Sequence, residues 1–203
     1  MNFKRLFRLI FKTARDLSLR RSFLLYRSWP LKLLISRHTK ITRFRGSIIN
    51  INGRLFIDCK NGGQFFYHSS LVLMENSKLT ISGNVNFFSG LNLKLFEKSN
   101  VVIGNGTYFS GPVTIHSKES IHIGKNCAIS WNVSIIDSNF HKLPGEEAIK
   151  TKPIQIGDFV WIGCNSVILP GSVIEYGAVI PAGSTVRGLV KAQTIYKGWC
   201  GAK

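Results

Sequence analysis

The sequence predicts an all-β chain wound as a parallel β-helix over about residues 42–188, and three observations carry that prediction. An aliphatic residue returns every six positions at Ile156, Ile162, Ile168, Ile174, Ile180 and Val186. Four residues after most of these stands a small side chain, at Ser166, Ser172, Ala178 and Ser184, with Val160 the larger exception. Gly157, Gly163, Gly171, Gly177 and Gly183 punctuate the same stretch. A period of six fits neither a helix repeating at 3.6 nor a long strand repeating at 2. It fits short strands joined by tight corners, each strand sending one apolar side chain into a narrow shared interior.

Taken in order, residues 1–41 form a basic segment. Residues 1–45 carry thirteen Lys or Arg and one acid, Asp16, whereas the rest of the chain carries fourteen and nine. Within 3–17, Phe3, Leu6, Phe7, Ile10, Ala14 and Leu17 share one helical face, and Lys4, Arg5, Arg8, Lys12 and Arg15 surround the other. That pattern predicts a basic amphipathic helix. Two readings stand for residues 1–35. One is peripheral contact with an anionic membrane, to which each basic residue contributes about 1 kcal/mol. The other is a cap over the open first coil. The early apolar stretches are cut by Arg8 and Lys12 with no small-residue cleavage site after them, so a secretory signal is not expected.

Residues 46–78 read as degenerate early coils. Leu79-Thr80-Ile81-Ser82-Gly83 opens a clearer turn, and Val101-Val102-Ile103-Gly104, Ile121-His122-Ile123-Gly124 and Ile154-Gln155-Ile156-Gly157 open equivalent ones. The six-residue step holds through Ile103, Phe109, Ile115 and Ile121, slips by two, and resumes at Ile123, Ile129 and Ile135. It breaks once, in a charged loop over 137–153 that opens with Asp137 and carries His141 near its base. A long loop inside a compact solenoid is a functional candidate. Residues 189–203 form a C-terminal tail.

Composition narrows the function classes. The chain has 203 residues and a formal net charge of +17, yet the excess sits in the N-terminal segment rather than across the body. That distribution, with no recognisable binding motif, argues against a nucleic-acid partner. No apolar run reaches the length of a spanning helix. Cys59, Cys127, Cys164 and Cys200 lie far apart with no CxxC, so a cytoplasmic chain with structural thiols is expected. His116 and His122 are six apart and read as surface or interface residues, so no metal is expected.

The stretches ISWNVSIIDSNFHKL, KPIQIGDFVWIGCNSVILPGSVI and AVIPAGSTV resemble the hexapeptide-repeat acyltransferases, in particular the sugar O-acetyltransferases of bacterial capsule and lipopolysaccharide synthesis. The resemblance covers about residues 79–188. It implies a left-handed β-helix, against the usual crossover preference. It also implies a homotrimer and acetyl-CoA held in a groove between subunits. Residue by residue, it implies that His141 is catalytic and that Trp161 of the VWIG coil lines the site from a neighbouring subunit, touching both substrate and donor. Cys164, Ala182 and Arg187 fall on cofactor-facing positions, and Asn132 matches a substrate-side Asn just before the loop. Asp137 has two readings: orienting His141, or capping the loop turn. Trp161 also has a plainer one, an aromatic packed at a subunit interface.

Three departures stand out. Asn139 replaces the second acid of the usual Asp-x-Asp-x-His. The tail YKGWCGAK lacks the usual proline. Pro112 occupies the slot where simple-sugar acetyltransferases carry an Asn, which implies a different acceptor.

Acyl transfer to an alcohol needs a base for the hydroxyl proton, stabilisation of the oxyanion and a shared site for both substrates. A histidine with an ordinary pKa near 6.5 is mostly neutral at pH 7 and suits the first task, contributing about 10²–10⁴-fold. A fixed backbone N–H suits the second, and proximity the third. The expected activity is direct acetyl transfer from acetyl-CoA to a sugar hydroxyl in a ternary complex, with His141 as general base. The alternatives are N-acylation of an amino sugar, transfer to a small alcohol such as serine, or a non-catalytic scaffold at the inner face of the membrane.

Overall fold

A computed structural model describes residues 32–36, 39–58, 68–142 and 149–198. Within them every regular element is a β-strand, and the strands form three parallel sheets of seven. The first three strands, β1 (Leu33–Ile35), β2 (Thr39–Arg43) and β3 (Ile48–Ile51), each start one sheet, called here faces 1, 2 and 3. Every later strand joins the sheet of the strand three before it, so the chain circles a prism with three faces and three edges. The fold is the parallel β-helix the repeat predicts, left-handed as the resemblance implies, and a corner sits wherever the sequence steps between faces.

The register follows the six-residue count. Val167 pairs with Thr185 and Ile168 with Val186, eighteen positions on, which is three six-residue sides. The three later IxIG turns are stacked, with Ile121 beside Val101 and Ile154 beside Ile121. Inward side chains therefore lie on their own kind from coil to coil. Ile103, Ile123, Ile156 and Ile174 make one column on face 3. Phe109, Ile129, Ile162 and Ile180 make another on face 1. All eight are buried. Each fully buried aliphatic side chain contributes about 1.5–3 kcal/mol, and no single coil could bury its own. Phe87 and Phe109 are buried in the core, and their rings stack with centroids 4.1 Å apart.

Corners accept small residues because successive coils nearly touch there. A Cβ on Gly163 would lie 2.5 Å from the backbone nitrogen of Ala182, and Gly171 takes a φ of +80°. These contacts are the physical basis of the glycine and serine punctuation.

Strands extend past the expected span at both ends. Leu33–Ile35 pairs with Leu55–Ile57 ahead of residue 42, and Leu189–Val190 continues face 3 past residue 188. Leu33 and Ile35 face the core, but the surrounding Lys and Arg hide the alternation in the sequence. The expected N-terminal helix over 3–17 lies outside the described residues. No described helix is long and apolar enough to cross a membrane.

Candidate active site

The break in the repeat is a hairpin arm rising from the edge between faces 2 and 3. It follows Val133–Ile136 on face 2 and precedes Ile154–Ile156 on face 3. Ser138 and Thr151 form an antiparallel bridge across its base. Asn139 N–H donates to the Lys150 carbonyl at 3.0 Å, and Lys152 N–H donates to the Asp137 carbonyl at 2.9 Å. Thr151 Oγ1 donates to Ser138 Oγ at 3.1 Å, closing the ladder with side chains.

Asp137 is fully buried beneath this arm. Its carboxylate accepts from Ser117 Oγ at 2.7 Å, from Lys118 N–H at 2.7 Å and from Glu119 N–H at 2.9 Å. All three donors belong to the preceding coil. These three bonds tie the arm to the corner below, as the capping reading of Asp137 expects, and none of the hydrogen bonds described for its carboxylate goes to His141. The donors come from the two-residue slip in the repeat, where the corner at Lys118 and Glu119 is lengthened.

His141 stands exposed just beyond this anchor. The preceding residue, Phe140, takes a φ of +60°, which few bulky residues adopt. Its N–H donates to Ser138 Oγ at 3.1 Å, a local turn of the type serine favours. Its ring lies 5.0 Å from that of Phe96 and meets His116 edge-on at 6.1 Å. Lys94 Nζ sits 4.6 Å from the Phe96 centroid. Burial, and then the charge of Lys94, push the His116 pKa below its usual value, and Nε2 is buried with no hydrogen-bond partner. His116 faces out from face 2 and His122 from face 3, so the two belong to different sides of the prism.

The other expected site residues fall into separate groups. Asn132, Cys164 and Ala182 sit in successive corners on the edge between faces 1 and 2. Asn132 is exposed, has a φ of +57°, and donates from Nδ2 to Asn165 Oδ1 at 3.2 Å in the next corner. Cys164 is a half-buried free thiol. Arg187 shares the edge of the His141 arm, two corners further on, which at one strand spacing per coil is about 10 Å along the axis.

Trp161 projects from face 1 and is 54% exposed. Face 1 lies opposite the edge that carries His141, so one chain does not bring these two side chains together. A site containing both requires a second copy.

A groove of about 760 Å³ crosses the C-terminal end of face 2. Its walls include Leu169, Pro181, Thr185 and Arg187 from the last coils and Tyr196 and Lys197 from the tail. The tail is held there by Tyr196, whose N–H donates to the Val179 carbonyl and whose hydroxyl donates to the Thr185 carbonyl, both at 2.8 Å. Tyr196, Lys197, Phe96 and Phe140 were not legible as site residues. Ring contacts and positive φ leave no spacing signature, and the tail lies past the last hexapeptide.

Comparison with known proteins agrees with this architecture. Residues 153–188 match the family described as "Bacterial transferase hexapeptide (six repeats)". The chain is 30% identical over 151 residues to the putative lipopolysaccharide biosynthesis O-acetyl transferase WbbJ of Escherichia coli, covering 66% of this chain and 77% of that protein. It is 37% identical over 103 residues to the galactoside O-acetyltransferase of E. coli, covering 49% of this chain and 51% of that one. It is 27% identical over 124 residues to the polysialic acid O-acetyltransferase of Neisseria meningitidis, covering 51% and 57%. The crystal structure of the polySia-specific acetyltransferase NeuO shares the fold, with a TM-score of 0.50 at 19% identity over 82% of this chain and 92% of that one. Taken with the three-faced helix, these similarities show that the chain is an enzyme of the hexapeptide-repeat acyltransferase family.

Proposed function

We propose that this protein is an acetyl-CoA-dependent O-acetyltransferase acting on a sugar hydroxyl of a surface polysaccharide or its precursor, with His141 as general base. The observation that carries the reading is the arm: the one long interruption of the repeat among the described residues is built to hold a histidine clear of the coils. The names of the lipopolysaccharide and polysialic acid relatives support the acceptor class. The groove supports the donor. Arg187 and Lys197 offer positive charge for phosphates, and Leu169, Pro181 and Tyr196 offer apolar surface beside them.

In this reading the acceptor hydroxyl gives its proton to the imidazole of His141 as its oxygen bonds to the acetyl carbon. The carbon–sulfur bond breaks, and the coenzyme A thiolate takes up the proton that the imidazole received. Transfer is direct, without an acyl-enzyme. The opposed placement of His141 and Trp161 supports a homotrimer in which Trp161 of one copy faces His141 of the next. Asn132, Cys164 and Ala182 line the approach from the other edge.

The test is release of coenzyme A from acetyl-CoA with a mixture of sugar acceptors. His141→Ala loses about 10²–10⁴-fold in kcat. Equal rates for the two proteins remove His141 as base. A product whose acetyl group is released by mild alkali is an ester; an alkali-stable product would mark transfer to nitrogen instead.

A further inference from the structure

We infer that Phe140 is the positioning residue for His141, holding the imidazole by an aromatic seat on the two coils beneath the arm. The inference rests on the reading of His141 as the base. Three observations converge on Phe140. Its backbone occupies the left-handed region, φ +60°, where a bulky side chain is held only by its surroundings. Its N–H is tied to Ser138 Oγ, which is fully buried and also accepts from Thr151. Its ring is clamped between Phe96, two coils below, and His116, one coil below. Loop residues have no need of such a clamp. Here it falls on the side chain immediately before the exposed histidine, so a ring turned inward fixes where the chain emerges and where His141 begins.

The seat itself is prepared. Asp137 draws the arm down onto the corner at Ser117, Lys118 and Glu119, directly above the Phe96 corner. Lys94 Nζ packs over the Phe96 ring. The His116 ring meets that of Phe140 at 85°. The device makes the base of the arm a mount for His141, which catalysis needs because small misplacements of a base are costly.

The experiment measures ¹⁵N relaxation of the His141 amide in the full-length protein, with turnover beside it. In the wild type the order parameter of His141 matches the rigid coils, about 0.85. In Phe140→Leu, and independently in Phe96→Leu, it falls below about 0.6 while the amides of Ile135 and Ile156 keep the wild-type value. Phe140→Tyr, which retains the ring, restores the wild-type order. Phe140→Asn separates the causes: it tolerates positive φ but has no ring, so it behaves as Phe140→Leu.

With acetyl-CoA and methyl glycosides, Phe140→Leu lowers kcat by about 10- to 100-fold and leaves the KM for acetyl-CoA unchanged. An unaltered His141 order parameter in both leucine variants overturns the inference, as does a wild-type kcat in Phe140→Leu where the wild type turns over. A His141→Ala protein as active as wild type overturns the assignment of the base, while the relaxation result still decides whether Phe140 holds the arm.

Discussion

Replacing Asp137 by alanine tests the anchor of the arm most directly. The carboxylate accepts three hydrogen bonds of 2.7, 2.7 and 2.9 Å and is fully buried. Hydrogen bonds to a charged group contribute about 1.5–3 kcal/mol each, and they are not additive. Alanine also leaves the Lys118 and Glu119 N–H groups without their acceptor, although water can reach part of this corner. A net loss of about 3–5 kcal/mol follows for the arm and the corner beneath it. The loss is local, because the Ile columns that hold the coils together are untouched. Hydrogen exchange reads it: the Lys118 and Glu119 amides exchange about 10²- to 10⁴-fold faster in Asp137→Ala, while core amides such as Ile135 keep the wild-type rate. Asp137→Asn keeps one acceptor oxygen and loses roughly half as much. Unchanged protection of Lys118 and Glu119 in Asp137→Ala would refute the anchoring argument and reopen the role of Asp137 beside His141.

Two further outcomes follow from the same geometry. Phe109→Ala removes the ring stacked on Phe87 in the core and costs about 3–5 kcal/mol, read as a lowered denaturation midpoint with an unchanged transition slope; a midpoint equal to wild type contradicts the packing. The depressed pKa of His116 makes the arm's seat acid-sensitive. Because the folded pKa lies below the unfolded value, the unfolded chain binds the proton more readily. Stability is then full above about pH 6.5 and is lost as pH falls through the folded pKa. Thermal melts compared at pH 7.5 and pH 5 show a larger acid-induced drop in wild type than in His116→Leu, and parallel drops would rule His116 out as the cause.

The arm could be seen in the sequence as an interruption but not as a mount. His141 stands out because it follows DSNF between two clean IxIG turns. Phe140 does not, since a phenylalanine beside a histidine carries no mark of positive φ or of the ring it will meet. Asp137 shows the limit most plainly. Its position at the head of the loop suits either an orienting or a capping role, and the three donors from the coil below, which favour capping, come into view only once the coils are stacked. The two-residue slip after Ile121 is visible in the repeat, yet its consequence, a corner with free N–H groups aimed at Asp137, needs the coils to be stacked.

The prism follows from the repeat alone, because a six-residue apolar period with small corners has one way to bury its aliphatic side chains: coil upon coil, each Ile on the Ile below. The break in that repeat likewise marks the histidine that leaves it. What faces what depends on the winding. Residues equally spaced along the chain fall on three different sides once it is wound, which sends Trp161 away from His141, sets Arg187 on the same edge as the arm, and brings Lys197 from the tail back to Arg187. Periodicity specifies the contacts within a column, whereas contacts across corners depend on where the winding places them.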